Sequence, residues 1–167
     1  MTDNKLDISR ATEAIKDARF VDALSLLESN LAKDPNHIDS LYLAAVSSRY
    51  LKNYDDAKKY IQSLLTQAPD MGRAYQELGH LNRDIGNQEN SIAHYRQACE
   101  LNPALLSSWK ALYDYFRAGN NKPAADHAFM QMNTLQSIPS VLLYISQILN
   151  EGKLGIAEEK CREFLKK

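Results

Sequence analysis

The sequence predicts an all-α solenoid, in which antiparallel helix pairs stack one on the next. Two observations carry this. Small residues stand at Ala23, Ala57, Ser91 and Ala125, and prolines at Pro35, Pro69 and Pro103, with 34 residues between neighbours in each series. Inside each unit the apolar residues recur at intervals of three and four, and helix breaks fall twice. A period of this length marks one supersecondary unit repeated, because a lone helix pair cannot bury its apolar face and needs a neighbour to cover it.

The unit spanning 72–105 shows the pattern most clearly. Tyr75, Leu78 and Leu81 line a first helix, which Ile85-Gly86-Asn87 breaks, Gly86 being free to take the left-handed cap conformation. Ile92, Tyr95 and Ala98 line a second helix. It stops at Leu101-Asn102-Pro103, where proline lacks an N–H and restricts the residue before it. The same reading along the chain predicts ten helices, at 5–17, 20–33, 38–51, 54–67, 72–84, 88–101, 106–118, 121–134, 139–150 and 153–166. They group into one domain over 1–167, with units at 4–37, 38–71, 72–105, 106–139 and a shortened 140–167, where Ala157 follows Ala125 by 32 residues.

Composition narrows the function classes. The 167 residues are 44% hydrophobic and 25% charged, as in an ordinary globular chain. A formal charge of −1 gives no global field for nucleic acid, so none is expected as a partner. The opening residues lack the order of a signal peptide, and no apolar run approaches the roughly 18 residues of a membrane span. The expectation is a cytoplasmic protein with no membrane partner. Cys99 and Cys161 fall on helices two repeats apart, too far for a disulfide.

The motifs resemble the tetratricopeptide repeat (TPR) family. Tyr75-x-x-Leu78-Gly79 followed by Ser91, Tyr95, Ala98 and Pro103 is similar to its signature, as are Leu41, Ala44, Ala45, Tyr54, Ala57 and Pro69 in the preceding unit. Trp109, Leu112, Phe116, Ala125 and Phe129 continue it in the next unit, and the first unit diverges at Arg10 and Ala11. The small residues read as helix-packing positions, where a larger side chain would cost roughly 1–3 kcal/mol. Tyr75, Tyr95, Trp109 and Phe129 read as core.

The resemblance implies a right-handed superhelix whose first helices line a concave groove. Carried over position by position, the groove set is Asp39, Tyr42, Val46, Arg49 and Tyr50; Arg73, Gln76, His80, Arg83 and Asp84; and Ser107, Lys110, Asp114, Arg117 and Ala118. It holds five cations and three anions, although the chain as a whole is slightly negative. Arg49, Arg83 and Arg117 share one repeat position and would form a ladder, flanked by Tyr42 and Tyr50 as exposed aromatics. Guanidinium groups bind carboxylates bidentately, and Arg and Tyr dominate interface hot spots. The predicted peptide-binding residues are Tyr42, Arg49, Tyr50, Arg73, Gln76, His80, Arg83, Lys110, Asp114 and Arg117, and the predicted partner is an acidic protein segment. Against this stands the plain reading of a solvated helix face, partly neutralised by Asp84 and Asp114.

No catalytic motif is present: there is no phosphate loop, His-Glu-x-x-His, Cys-x-x-Cys or nucleophile elbow, so no enzyme activity, metal or cofactor is expected. His37, His80, His94 and His127 read as surface histidines. TPR domains that grip the acidic tail of heat-shock chaperones use a clamp of Lys, Asn and Arg. Here the corresponding positions hold Tyr42, Val46, Glu77, Ser107 and Ala111, or Ile8, Thr12, Leu43, Arg73 and Glu77, and Glu77 would repel a carboxylate.

Apolar residues Ile156, Ala157, Cys161, Phe164 and Leu165 continue at helical spacing to the end, which suggests an N-terminal part of a longer protein, or a homodimer formed through the uncapped last helix. Trp109 through Ala125, Asp126, Pro139, Leu143, Gly152, Leu154, Ala157 and Leu165 also resemble the TPR region preceding a sulfotransferase domain in some bacterial proteins. That resemblance implies an alternative role as a targeting or substrate-presenting arm.

Overall fold

The computed structural model describes the backbone of residues 2–165 and the side chains of 7–165. The described residues form ten α-helices and no strand: α1 (Thr2–Lys16), α2 (Phe20–Lys33), α3 (Ile38–Tyr50), α4 (Tyr54–Gln67), α5 (Gly72–Asp84), α6 (Gln88–Leu101), α7 (Leu106–Ala118), α8 (Lys122–Gln136), α9 (Ser140–Asn150) and α10 (Leu154–Leu165). The fold is the all-α solenoid of paired helices that the period predicts. The expected end of the last helix at 166 lies outside the described residues.

Two kinds of turn repeat along the chain. After each first helix the backbone goes left-handed at one position, with positive φ at Ala18 (57°), Lys52 (63°), Gly86 (81°), Asn120 (54°) and Gly152 (71°). These are spaced by 34 until the last, which comes after 32, the same shortening seen between Ala125 and Ala157. The next amide reaches back to close the cap: Arg19 N–H to the Ala14 carbonyl at 2.7 Å, Asn53 to Ser48 at 2.8 Å, Asn121 to Phe116 at 2.8 Å and Lys153 to Ile148 at 3.0 Å. After the second helices, Asp34, Ala68 and Asn102 share a non-helical conformation, with φ near −140° in each. Each precedes a proline, which disfavours helical backbone there.

The chain forms two compact units: Met1–Asp70 with His80–Gly86, and Met71–Gly79 with Asn87–Lys167. The first is built around Ala11, Ala14, Ala23, Leu27 and Ala44, with Ile8, Ile15 and Tyr60 packed against them. The second has a cluster of Tyr95, Cys99, Leu112 and Ala128, and a further one of Ile145, Ile148 and Ala157 on α9 and α10.

The small-residue positions Ala23, Ala57, Ser91 and Ala125 are all buried. Ser91 also donates its hydroxyl to the Gly79 carbonyl at 2.9 Å and accepts from the Tyr115 hydroxyl at 3.1 Å. One core assignment needs correction. Phe129 is 46% exposed, resting against Tyr113 at a centroid distance of 5.7 Å rather than lying inside.

Candidate peptide-binding groove

Five of the predicted site residues, Tyr42, Arg49, Tyr50, His80 and Arg83, lie in the first unit. Tyr42 is not the exposed aromatic expected: it is only 9% exposed, on a helix where Ser40, Leu41, Ala44, Ala45, Ser47 and Ser48 are buried too. Arg49 is likewise buried, at 7% exposure, and donates from Nη1 to Asp84 Oδ2 at 2.9 Å. A guanidinium so enclosed must be paired, and this one is held by the fold. Tyr50 is exposed, yet its ring stacks on Phe20 at 4.4 Å, and the Arg49 guanidinium carbon lies 4.4 Å from its centroid.

Arg83 reaches the same carboxylate more loosely, its Nη2 lying 3.3 Å from Asp84 Oδ1, and its side chain is 48% exposed. Two arginines that share a repeat position therefore converge on a single Asp. Their charges also bear on His80, which is half-buried rather than a surface histidine. Burial first, then the fields of Arg49 and Arg83, push its pKa down to about 4. The imidazole is neutral at pH 7.

Around these groups opens a cleft of about 420 Å³, lined by Arg49, Tyr50, Lys52, Tyr54, Arg83 and Asp84. It sets three cations against one carboxylate. Lys52 and Tyr54 lie outside the positions that the repeat pattern singles out, because they belong to the turn after α3 and the first residue of α4. Only the left-handed turn at Lys52 brings them to the end of the helix that carries Arg49.

The other predicted residues lie in the second unit. Arg73 donates from Nη1 to Glu151 Oε1 at 3.1 Å, and Gln76 accepts from the Ser108 hydroxyl at 3.0 Å. Lys110, Asp114 and Arg117 are exposed along α7. A separate, more apolar cleft of about 340 Å³ lies between α6, α7 and α8, lined by Cys99, Trp109, Leu112 and Phe116 among others, and contains none of the predicted site. Burial raises the Cys99 thiol to about 12, which leaves it protonated and a poor nucleophile.

Among the described residues no three His, Cys, Asp or Glu side chains group as a metal site would require. No described helix is long and apolar enough to cross a membrane.

Tetratricopeptide-repeat family models match residues 14–81 and 72–105, together more than half of the chain. The chain belongs to the tetratricopeptide repeat family. Solved structures agree on the TPR fold. MamA (41-end) from Desulfovibrio magneticus RS-1 superposes with a TM-score of 0.66 at 19% identity, covering 80% of this chain and 75% of that one. The first TPR of Spaghetti (RPAP3), bound to the HSP90 peptide SRMEEVD, gives 0.63 at 15% identity over 70% and 93%. An O-GlcNAc transferase from Thermobaculum terrenum gives 0.65 at 21% identity, over 69% of this chain and 22% of that one. No curated protein matches the sequence.

Proposed function

We propose that this TPR protein is an interaction scaffold for an acidic protein segment, and that the cleft at Arg83 anchors it. One observation carries this reading. Lys52 and Arg83 line a cleft whose one lining carboxylate, Asp84, is already paired with the buried Arg49, so a surplus of positive charge faces solvent beside Tyr50 and the ring of Tyr54. A ligand carboxylate gains from that surplus, and the tyrosines supply apolar contact with a hydroxyl attached. The structural neighbour from RPAP3 holds a peptide with two Glu residues and one Asp, which supports the ligand class. It does not supply the contacts, since this chain's clamp positions include Glu77.

The test is a fluorescence-polarisation titration with a ten-residue peptide rich in Glu and Asp, beside the same peptide with each acid changed to its amide. Tighter binding of the acidic form is expected, weakening as salt is raised. Equal affinity for the two peptides contradicts the reading.

Self-association is a second reading that the surface favours. Leu142, Tyr144, Leu149, Leu154, Ile156, Phe164 and Leu165 are all exposed on α9 and α10 or just beside them. Apolar area of that kind seeks cover, at roughly 25 cal/mol per Å². A role as the arm of a bacterial sulfotransferase rests on sequence resemblance alone.

A further inference from the structure

Arg73, one of the predicted ligand-binding arginines, is already bound to the carboxylate of Glu151, 78 residues away in sequence. Arg73 sits at the start of α5, and Glu151 in the turn joining α9 to α10. Glu151 is only 6% exposed at its side chain. Its second oxygen is held by Lys153 Nζ at 3.0 Å, and Arg73 and Lys153 are each 28% exposed. Burying a carboxylate this far is costly unless cations meet it, and here two do. The turn residue after it, Gly152, takes a φ of +71°, which swings the chain so that Lys153 follows Glu151 onto the same carboxylate.

We infer that Arg73 and Lys153 form a second carboxylate-binding point, and that Glu151 fills it as an internal acidic ligand, so the α9–α10 hairpin holds the point closed until an acidic partner displaces it. The inference rests on the reading that this protein takes acidic segments, and adds where and how such binding is regulated. Exchange of one carboxylate for another leaves the number of ion pairs unchanged. The contest is then decided by effective concentration, which for a tethered group is on the order of millimolar. A free peptide must bring further contacts to win, and removing the internal acid removes its competitor.

The experiment uses the full chain and the same ten-residue Glu/Asp peptide. Glu151→Gln should bind it about tenfold more tightly than the unaltered protein, a competitor's worth of affinity. Glu159→Gln, an equal change of charge at an exposed position on α10, should shift affinity by less than about twofold. Adding Arg73→Ala to Glu151→Gln should remove the gain. Unchanged affinity in Glu151→Gln, a gain that survives Arg73→Ala, or an equal gain in Glu159→Gln overturns the inference while leaving the acidic-segment reading intact. Absence of binding by every form overturns both. Hydrogen exchange on the unaltered protein gives a readout free of substitution. Peptide should speed exchange across 140–165 as the hairpin loses its anchor, and slower exchange there on adding peptide contradicts the displacement.

Discussion

Gly79 stands against the face of Tyr95 so closely that a Cβ built on it would lie 2.6 Å from two ring carbons. Tyr95 is fully buried and cannot swing aside. The glycine lets α5 approach α6 at the point where Ser91 donates to the Gly79 carbonyl. Gly79→Ala is therefore expected to destabilise the fold by about 1–3 kcal/mol or more, despite alanine's better helix propensity. Urea unfolding followed by circular dichroism measures it, and a neutral or stabilising result would mean that the helices separate freely.

Ala18 occupies the left-handed turn position at a φ of 57°, where a side chain is strained. Ala18→Gly should stabilise the protein by roughly 0.5–1 kcal/mol, the relief of strain outweighing the added freedom of the unfolded chain. The same change at the buried helical position Ala23 should destabilise by a similar amount or more. Thermal melts of the two variants separate the turn from the helix.

Arg49 and Arg83 share Asp84 and should still behave differently on removal. Arg49→Ala leaves a cavity beside Tyr50 and takes the buried partner from Asp84, for an expected loss of about 1–3 kcal/mol. Arg83→Ala removes an exposed, loosely held charge and should cost under about 1 kcal/mol. Equal losses in chemical denaturation would contradict the division into a structural and an accessible arginine.

Acid should act on stability through His80. Its native pKa of about 4 lies below the ordinary 6.5, so above pH 6.5 both folded and unfolded states hold it neutral and it carries no pH penalty. Between 6.5 and 4 the unfolded chain takes up a proton that the folded chain refuses, and stability falls as pH falls, by up to about 3 kcal/mol. Comparing unfolding free energies of the unaltered protein and His80→Gln from pH 7 to 4 isolates this loss. Parallel profiles would show that His80 is solvated.

Exposed Phe164 and Leu165 give the self-association reading its own check. Changing both to Ser should shift any dimer towards monomer in sedimentation equilibrium, whereas a strict monomer of the unaltered protein at high concentration rejects the reading.

The helices and turns were legible because their causes are local. Proline at 35, 69 and 103 forces non-helical backbone before it, and the three-and-four spacing fixes which face is apolar. The left-handed positions were readable at Gly86, where the residue announces the conformation, but not at Ala18 or Lys52, where the fold imposes it. The site was legible only in outline. A periodic pattern places Tyr42 and Arg49 on the first helix's open face, yet how fully that helix is covered depends on tertiary packing, which buries both. Glu151 gave no signal, since it lies in the shortened repeat and its partner is 78 residues away.

Anchoring of an acidic segment at the Arg83 cleft is read out by the affinity of the Glu/Asp peptide for Lys52→Ala/Arg83→Ala. Both side chains are exposed, so the variant should fold as the unaltered protein does. Binding to this variant should be at least about tenfold weaker, with a shallower dependence on salt. Affinity and salt dependence equal to those of the unaltered protein would contradict anchoring at this cleft.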